Sequence, residues 1–196
     1  MIKKQPTRKT KTSHISAKDA GKLFTIENKR DKLLFAAGLW LGLRATSELC
    51  RLKWRDLLDV ETVKVWQPKT SKYREVAMPL ALKPIVRECY EGQDLDSYTF
   101  TGRRGQDGTK PLSNKSVNDL IKKYFTELNI KTRLNSSSHC LRKTWGRCYL
   151  DANGCSVDTL SFLQNNFGHS SIAITMTYLS IDFEKQAQMV NNIKYG

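Results

Sequence analysis

The sequence predicts an α+β fold, mostly helical with a small antiparallel β-sheet, built as one domain. Most of the chain divides into segments that begin at a capping residue and continue with helical patterning. One stretch, residues 60–80, instead reads as two strands joined by a short turn. The chain has 196 residues and is 39% hydrophobic, which is enough to build a single core.

Three helices are predicted before the sheet. Ser16 and Asp19 resemble a capping box that opens a helix over 16–28. A second helix is expected over 30–43 and a third over 46–54.

The sheet is predicted to be a β-hairpin. Residues 60–67 alternate and favour β-branched side chains, and residues 74–80 return as the second strand. The turn between the two strands carries Lys69 and Lys72.

The rest of the chain is predicted to be helical, apart from one loop. A helix over 82–90 and a short extended piece over 97–100 lead into a glycine-rich basic loop, residues 101–113. Four further helices are predicted, over 113–128, 138–153, 156–166 and 170–178.

Charge indicates the partner. The formal net charge is +14, which favours a polyanion, most often nucleic acid, over a merely soluble basic surface. Residues 1–13 hold five cations and no acid, and we expect either a flexible arm along the DNA backbone or the stub of a linker. The cations expected to contact DNA are Lys3, Lys4, Arg8, Lys9, Lys11, Lys72, Arg103, Arg104 and Lys143.

Composition argues against several other classes of protein. The longest apolar run, residues 33–43, is far shorter than the roughly 20 residues of a membrane span, and the charged N-terminus lacks a secretory signal core. Five cysteines without a C-x-x-C pair indicate reduced thiols in a cytosolic protein. The spacing of His139, Cys140 and Cys148 fits no standard zinc pattern, so no metal is predicted.

Six side chains could carry chemistry, although each also has an ordinary structural explanation. Arg44 follows an apolar stretch, where it could bind an anion or form a salt bridge with Glu48. His139 and Arg142 lie one turn apart near a helix start, where they could bind phosphate or face solvent. Lys69 lies on the hairpin turn, where it could be solvated or donate a proton. His169 could be a hydrogen-bonded loop histidine, and Tyr178 could be a core tyrosine or a nucleophile.

The order of these residues is more specific than any one of them. "GLR" is followed by "ELCRLKW", a hairpin lysine, H-x-L-R, and G-H with a tyrosine nine residues later. This order resembles the catalytic domain of tyrosine recombinases, the phage-integrase family. The resemblance covers residues 14–182, so that 1–13 form the arm and 183–196 a tail that packs on a neighbouring protomer, packs on its own domain or frays.

The resemblance implies a phosphate-binding set. Arg44 and Arg142 match the two arginines of the family, and His169 matches the histidine after the late glycine. Guanidinium groups suit the non-bridging oxygens of a phosphodiester under attack, and the histidine can add a donor.

It also implies a nucleophile and two proton-transfer groups. Tyr178 matches the nucleophile, and its phenol must lose a proton as it attacks. His139 matches the candidate base, although the proton could also leave through water. Lys69 matches the β-turn lysine that protonates the departing 5′ oxygen, and Lys72 could be aligned there instead. No cofactor is implied.

Three features depart from the family pattern. An acid commonly follows the first arginine by three residues, whereas Glu48 follows Arg44 by four, which on a helix rotates it by about 100°. Either a residue is added before the helix begins, or Glu48 does not brace the site in the usual way. Lys143 stands where many relatives carry histidine. Many members carry an N-terminal DNA-clasping domain, whereas only the arm precedes residue 14 here, as in short fimbrial-switch invertases or a piece of a longer integrase.

The resulting expectation is a site-specific DNA recombinase that integrates, excises or inverts double-stranded DNA through a 3′-phosphotyrosyl intermediate. It should work as a homotetramer on two DNA sites and have no membrane partner. We expect a bacterial or phage-encoded protein that acts in the cytoplasm, on the nucleoid. The alternatives are a DNA-binding regulator of the same fold that does not cleave, and a type IB topoisomerase-like nicking-closing enzyme.

Overall fold

The computed structural model describes residues 12–67, 71–102, 105, 107–181 and 190–192. Within these residues the fold is mostly helical with one two-stranded antiparallel sheet, so the predicted fold class is confirmed. The predictions for the arm cations up to Lys11, for Lys69, for Arg103 and Arg104, and for most of the C-terminal tail lie outside the described residues.

The first helix begins where its predicted capping residue places it, and the second begins within one residue of its prediction. α1 (Ala17–Lys22) begins after Ser16, whose Oγ accepts a hydrogen bond from the backbone N of Asp19 at 3.0 Å. A 3-10 turn (Leu23–Thr25) then replaces the later part of the predicted helix. α2 (Lys29–Leu41) follows and is buried along most of its length.

The single helix predicted over 46–54 is wrong. The chain instead forms a 3-10 turn (Leu49–Arg51) and then a short helix, α3 (Trp54–Leu57). The carboxylate of Asp56 accepts a hydrogen bond from the backbone N of Lys53 at 2.8 Å, which starts α3 as a separate helix.

The hairpin consists of β1 (Thr62–Gln67) and β2 (Lys72–Ala77), and β2 begins two residues earlier than predicted. In its register Val65 pairs with Arg74. Val63 and Val65 of β1 point into the core. On β2 the arginine is partly buried, whereas Lys72 beside the turn is exposed.

The remaining predicted helices are confirmed to within about two residues at most ends. Serine side chains cap three of them at the N-terminus: Ser113, Ser156 and Ser171. The five helices are α4 (Leu82–Cys89), α5 (Asn114–Glu127), α6 (His139–Asn153), α7 (Val157–Phe167) and α8 (Ile172–Leu179).

The buried apolar residues form two clusters. The larger surrounds α2, and the smaller joins α6, α7 and α8 around Phe167 and Leu179. α6 belongs to both clusters, because Leu141 lies in the first and Leu150 in the second. α6 therefore fixes the end of α2 relative to α7 and α8.

The described ranges contain no helix that combines the length and the apolar character of a membrane span. The same ranges hold no group of three or more His, Cys, Asp or Glu side chains that could hold a metal ion.

Candidate active site

The loop after α2 begins with a glycine that the packing requires. Gly42 adopts a left-handed conformation with φ of 60° and ends α2. A Cβ atom at this position would lie 2.3 Å from the ring of Trp145. The buried side chains of Leu43 and Ala45 then flank Arg44 and hold its backbone in place.

Glu48 is the buried anion at the centre of the site, with 2% of its surface exposed. Its Oε1 accepts from Arg44 Nη1 at 2.5 Å, and its Oε2 accepts from the backbone N of Arg44 at 2.8 Å. Arg142 Nη1 donates to the same Oε2 at 3.3 Å, and Arg74 Nη2 lies 3.8 Å from it. One carboxylate therefore faces three guanidinium groups.

The four-residue spacing between Arg44 and Glu48 is compatible with this contact because the intervening chain is not helical. The backbone N atoms of Glu48 and Leu49 both donate to Arg44 O, at 3.1 and 2.9 Å, and close a single hydrogen-bonded turn that does not continue as an α-helix. The rotation of about 100° that a helix would impose therefore does not apply. The salt bridge that the sequence left open as an alternative for Arg44 is formed, within an arginine cluster.

Arg142 and Arg44 also cap the C-terminal end of α7. Arg142 Nη2 donates to Asn166 O at 3.1 Å, and Arg44 Nη2 donates to Phe167 O at 2.6 Å. Arg142 Nη1 further donates to Gly42 O at 2.6 Å. The carbonyl groups of Asn166 and Phe167 lie in the last turn of α7 and have no partner within that helix, so the two arginines supply their hydrogen bonds.

Arg142 stays charged despite its burial. Loss of hydration lowers the pKa of its guanidinium to about 10, with Glu48 acting in the opposite direction and Arg44 in the same one. At neutral pH the group is therefore still a cation, and its field acts on neighbouring anions.

His139 lies at the N-terminus of α6, one turn before Arg142. The residue remains accessible to solvent, but partial loss of hydration lowers the pKa of its imidazole, and the charges of Arg142, Lys143 and Arg44 lower it further. A lowered pKa keeps the ring neutral near pH 7, the form in which it can accept a proton.

His169 follows the left-handed Gly168 that ends α7. Its backbone N donates to Gln164 O at 3.0 Å, and its Nδ1 lies 3.0 Å from Thr175 Oγ1. Its ring centroid is 5.2 Å from that of Tyr178. A short loop between α7 and α8 thus holds the histidine against the tyrosine.

Tyr178 lies on α8 with its hydroxyl buried. Its ring packs edge-on against Phe167, with centroids 5.1 Å apart, and Lys143 Nζ lies 4.7 Å from its ring centroid. Among the described residues its Oη has no hydrogen-bond partner. Burial raises the pKa of the phenol to about 12, although the charges of Arg142 and Arg44 act to lower it.

The structure brings five of the six candidate catalytic side chains to one place: Arg44, His139, Arg142, His169 and Tyr178. The sixth, Lys69, lies outside the described residues, on the turn that joins β1 to β2. Glu48 belongs to the same group. Of the DNA-binding candidates, Lys143 lies against Tyr178 and Lys72 is exposed on the hairpin.

Sequence reasoning missed two polar residues of the site, Arg74 and Asn166. Arg74 Nη1 donates to Asn166 Oδ1, and Asn166 Nδ2 donates to Phe162 O at 2.9 Å. Strand periodicity offered a signal for the arginine, because Arg74 shares one face of β2 with the partly buried Val76. Asn166 carries no comparable signal in the sequence.

The arrangement suits a tetrahedral oxyanion. Among the described residues, the contacts above use three donors of Arg142 and two of Arg44, and each guanidinium has five. Both arginines therefore keep N–H donors that can bind an anion next to the phenol of Tyr178.

Several known proteins are similar in sequence to most of this chain. A tyrosine recombinase from Agathobacter rectalis is 31% identical over 166 residues, covering 82% of this chain and 49% of that protein. The tyrosine recombinase XerC of Xanthomonas axonopodis pv. citri is 33% identical over 163 residues, covering 82% and 50%. The probable integrase/recombinase YoeC of Bacillus subtilis is 27% identical over 156 residues, covering 80% of each chain.

Solved structures share the fold at lower identity. The crystal structure of XerA recombinase matches with a TM-score of 0.66 and 21% identity, covering 94% of this chain and 67% of that one. A lambda integrase dimer bound to a COC′ core site matches with a TM-score of 0.64 and 20% identity, covering 87% and 49%.

The model of the phage integrase family matches residues 14–185, nearly the same range as the resemblance read from the motifs. The chain spans about half the length of the curated relatives from Agathobacter and Xanthomonas. Two of the relatives named above are tyrosine recombinases. Because the match to the family model extends over most of the sequence, the chain belongs to the phage integrase family.

Proposed function

We propose that this chain is the catalytic domain of a site-specific DNA recombinase that cuts and rejoins strands through a 3′-phosphotyrosyl intermediate. The observation that carries the proposal is the meeting of Arg44 and Arg142 on the buried carboxylate of Glu48, next to Tyr178. Cations brought together in this way form a phosphate site beside a nucleophile.

In the proposed reaction, the guanidinium groups of Arg44 and Arg142 hold the non-bridging oxygens of one phosphodiester. Negative charge grows on these oxygens as a fifth oxygen approaches phosphorus, so the cations stabilise the transition state more than the ground state. The His169 side chain adds a donor, while its contact with Thr175 fixes the ring.

The bond changes balance without a cofactor. Tyr178 Oη forms a bond to phosphorus, and the bond from phosphorus to the 5′ oxygen breaks. The phenol proton leaves to His139 or to water, and Lys69 gives a proton to the 5′ oxygen. The phosphotyrosyl bond retains the energy of the broken link, so the 5′ hydroxyl of a partner strand can attack it and rejoin DNA without ATP.

For strand exchange we propose a homotetramer that holds two double-stranded DNA sites. Binding draws on the +14 formal charge of the chain. The two alternatives, a regulator that binds without cutting and a nicking-closing enzyme, share the fold and differ in the outcome of the following experiment.

The experiment begins with the DNA site, found by selection from a randomised duplex pool and by footprinting on DNA that flanks the gene. The chain is then incubated with a nicked duplex of the selected sequence, from which the cut fragment diffuses away and cannot be rejoined. A covalent protein–DNA band on a denaturing gel is expected. The band should disappear in Tyr178→Phe and persist in the matched control Tyr90→Phe, whose hydroxyl donates to Gln93 O.

Each outcome discriminates between functions. DNA that is bound but never joined to the protein indicates the regulator and contradicts the proposal. A covalent band accompanied by relaxation of supercoils, but by no exchange between two sites, indicates the nicking-closing enzyme. A covalent band that survives in Tyr178→Phe shows that another nucleophile acts.

A further inference from the structure

Arg74 is a third arginine of the site, and its orientation is fixed. It lies on β2 opposite Val65, and 14% of its side chain is exposed. Its Nη1 donates to Asn166 Oδ1. Asn166 is itself held by the hydrogen bond from its Nδ2 to Phe162 O, so the guanidinium is held between the hairpin and α7.

The opposite edge of this guanidinium has no hydrogen-bond partner in the described part of the chain. Nε and Nη2 are both buried and unpaired there. Glu48 Oε2 lies 3.8 Å from Nη2, beyond hydrogen-bond distance, and already accepts from the backbone of Arg44 and from Arg142. Burying N–H donors without acceptors is unfavourable, and the loss of hydration lowers the pKa of the Arg74 guanidinium.

Nε and Nη2 form the side edge of the guanidinium, where two N–H bonds point in parallel. This edge matches two oxygens of a carboxylate or phosphate. Within the described ranges, three guanidinium groups and one carboxylate meet here, so this cluster carries an excess positive charge that an anion can balance.

We propose that Arg74 is a third phosphate-contacting arginine, which donates Nε–H and Nη2–H to oxygens of the phosphodiester held by Arg44 and Arg142. This inference rests on the proposed function and deepens it, because it assigns substrate contact to a residue of the strand that follows the hairpin turn. The bonds between Arg74, Asn166 and Phe162 preorganise that contact.

The alternative is a purely structural arginine that neutralises Glu48 and ties β2 to α7. A structural role predicts that variants lose stability and that any loss of activity follows from it. Contact with the substrate instead predicts a loss of cleavage activity that depends on the charged phosphate oxygens. The test therefore measures whether the loss depends on them.

The test compares Arg74→Gln and Arg74→Lys with Arg87→Gln, a surface control whose partner is Asp59. Single-turnover formation of the covalent complex is measured on the nicked duplex, first with a phosphate and then with an uncharged methylphosphonate at the cleavage position. Arg74→Gln should slow cleavage of the phosphate substrate by about tenfold or more, as expected for loss of a charge-assisted bidentate contact. Lysine should recover part of the rate, because it keeps the charge but not the parallel donors.

On at least one methylphosphonate stereoisomer, the penalty of Arg74→Gln should shrink to within about threefold, since the contacted oxygen is absent from the wild-type reaction as well. An equal penalty on the phosphate and on both stereoisomers would overturn the inference in favour of the structural role. Cleavage by Arg74→Gln at the wild-type rate would also overturn it. Where Arg74→Gln fails to fold, Arg74→Lys supplies the same comparison.

A second measurement separates this inference from the proposed function. Inorganic phosphate should raise the thermal unfolding midpoint of the wild type and of Arg87→Gln, and raise that of Arg74→Gln by much less. If the chain shows this pattern but never cuts DNA, Arg74 is a phosphate ligand and the proposed recombinase function is wrong. If the chain cuts DNA but phosphate stabilises Arg74→Gln as much as wild type, the recombinase function stands and the inference about Arg74 is wrong.

Discussion

Arg142 donates to the carboxylate of Glu48 from a position 94 residues later in the sequence, at 3.3 Å. The same carboxylate also accepts hydrogen bonds from the backbone N and from the guanidinium of Arg44. A buried anion therefore sets the relative position of the two arginines expected to hold the phosphate. Replacing it is the most direct perturbation of the site.

Glu48→Ala should destabilise the protein by about 3–5 kcal/mol, because three guanidinium groups would be left close together without their counter-charge. Denaturant unfolding measures the loss. The matched control is Glu91→Ala, which removes an ion pair with Lys29 whose partners are both largely exposed, and should cost about 1 kcal/mol or less. Equal effects of the two substitutions would show that Glu48 is not the anchor described here.

Arg44→Ala should abolish covalent complex formation while most DNA affinity remains. The general grip on DNA is spread over many lysines and arginines, whereas the transition state depends on a few placed donors. Arg44 is chosen because it is less buried than Arg142, so the variant is more easily kept folded. Gel-shift titration and single-turnover cleavage measure the two quantities, with Arg55→Ala as the surface control. Normal cleavage by the variant would contradict the phosphate clamp.

Tyr178→Phe should lose cleavage and gain stability. The substitution removes a buried hydroxyl that has no partner among the described residues, so we expect a gain of about 1 kcal/mol at neutral pH.

The stability difference between wild type and Tyr178→Phe should also depend on pH. The pKa of Tyr178 is raised from 10.0 to about 12 in the fold, so the folded state keeps this proton while the unfolded state releases it. The stability that the protonated phenol contributes is complete below pH 10 and is lost as the pH rises towards 12. The advantage of Tyr178→Phe should therefore widen over that interval in denaturant unfolding. A constant difference would show that the phenol is not shielded from solvent.

Cleavage should be sensitive to acid through His139. The pKa of its imidazole lies below 6.5 in the fold, so the ring is neutral at pH 7 and able to accept a proton. As the pH falls below 6.5 the unfolded state takes up this proton more readily than the folded state, so the stability contributed by the group is lost on acidification. The single-turnover rate should fall over the same interval, and more weakly in His139→Gln. His14→Gln is the control. Identical acid profiles for wild type and His139→Gln would exclude the histidine as the base.

Deletion of residues 1–11 should weaken DNA binding and flatten its dependence on salt. The deletion ends before Thr12, which is buried and shares a hydrogen bond with Ser137 Oγ at 2.8 Å, just ahead of α6. Each arm cation that neutralises a phosphate should contribute about 0.9 to the logarithmic salt slope. Affinity measured at several salt concentrations gives that slope. An unchanged slope would place the arm away from the DNA.

Local chemistry in the sequence determined most of the helices and the hairpin. Ser16 and Ser113 mark helix starts that the structure confirms, because a serine hydroxyl in this position satisfies a backbone N–H that the helix itself leaves unpaired. The alternation over 60–67 likewise predicted β1, since every second side chain of a strand faces the core. The family followed from the order of a few motifs, and the family match confirms it.

The tertiary structure decided what the sequence left open around Glu48. A helix over 46–54 agreed with local propensity, yet the chain turns at Arg44 and restarts at Trp54. The turn places the Glu48 carboxylate between arginines from distant parts of the chain. Arg74 enters the site because β2 pairs with β1 and is tied to α7 through Asn166. Such contacts depend on the burial of charge among side chains that only folding brings together, whereas capping and alternation depend on neighbours already adjacent in the chain.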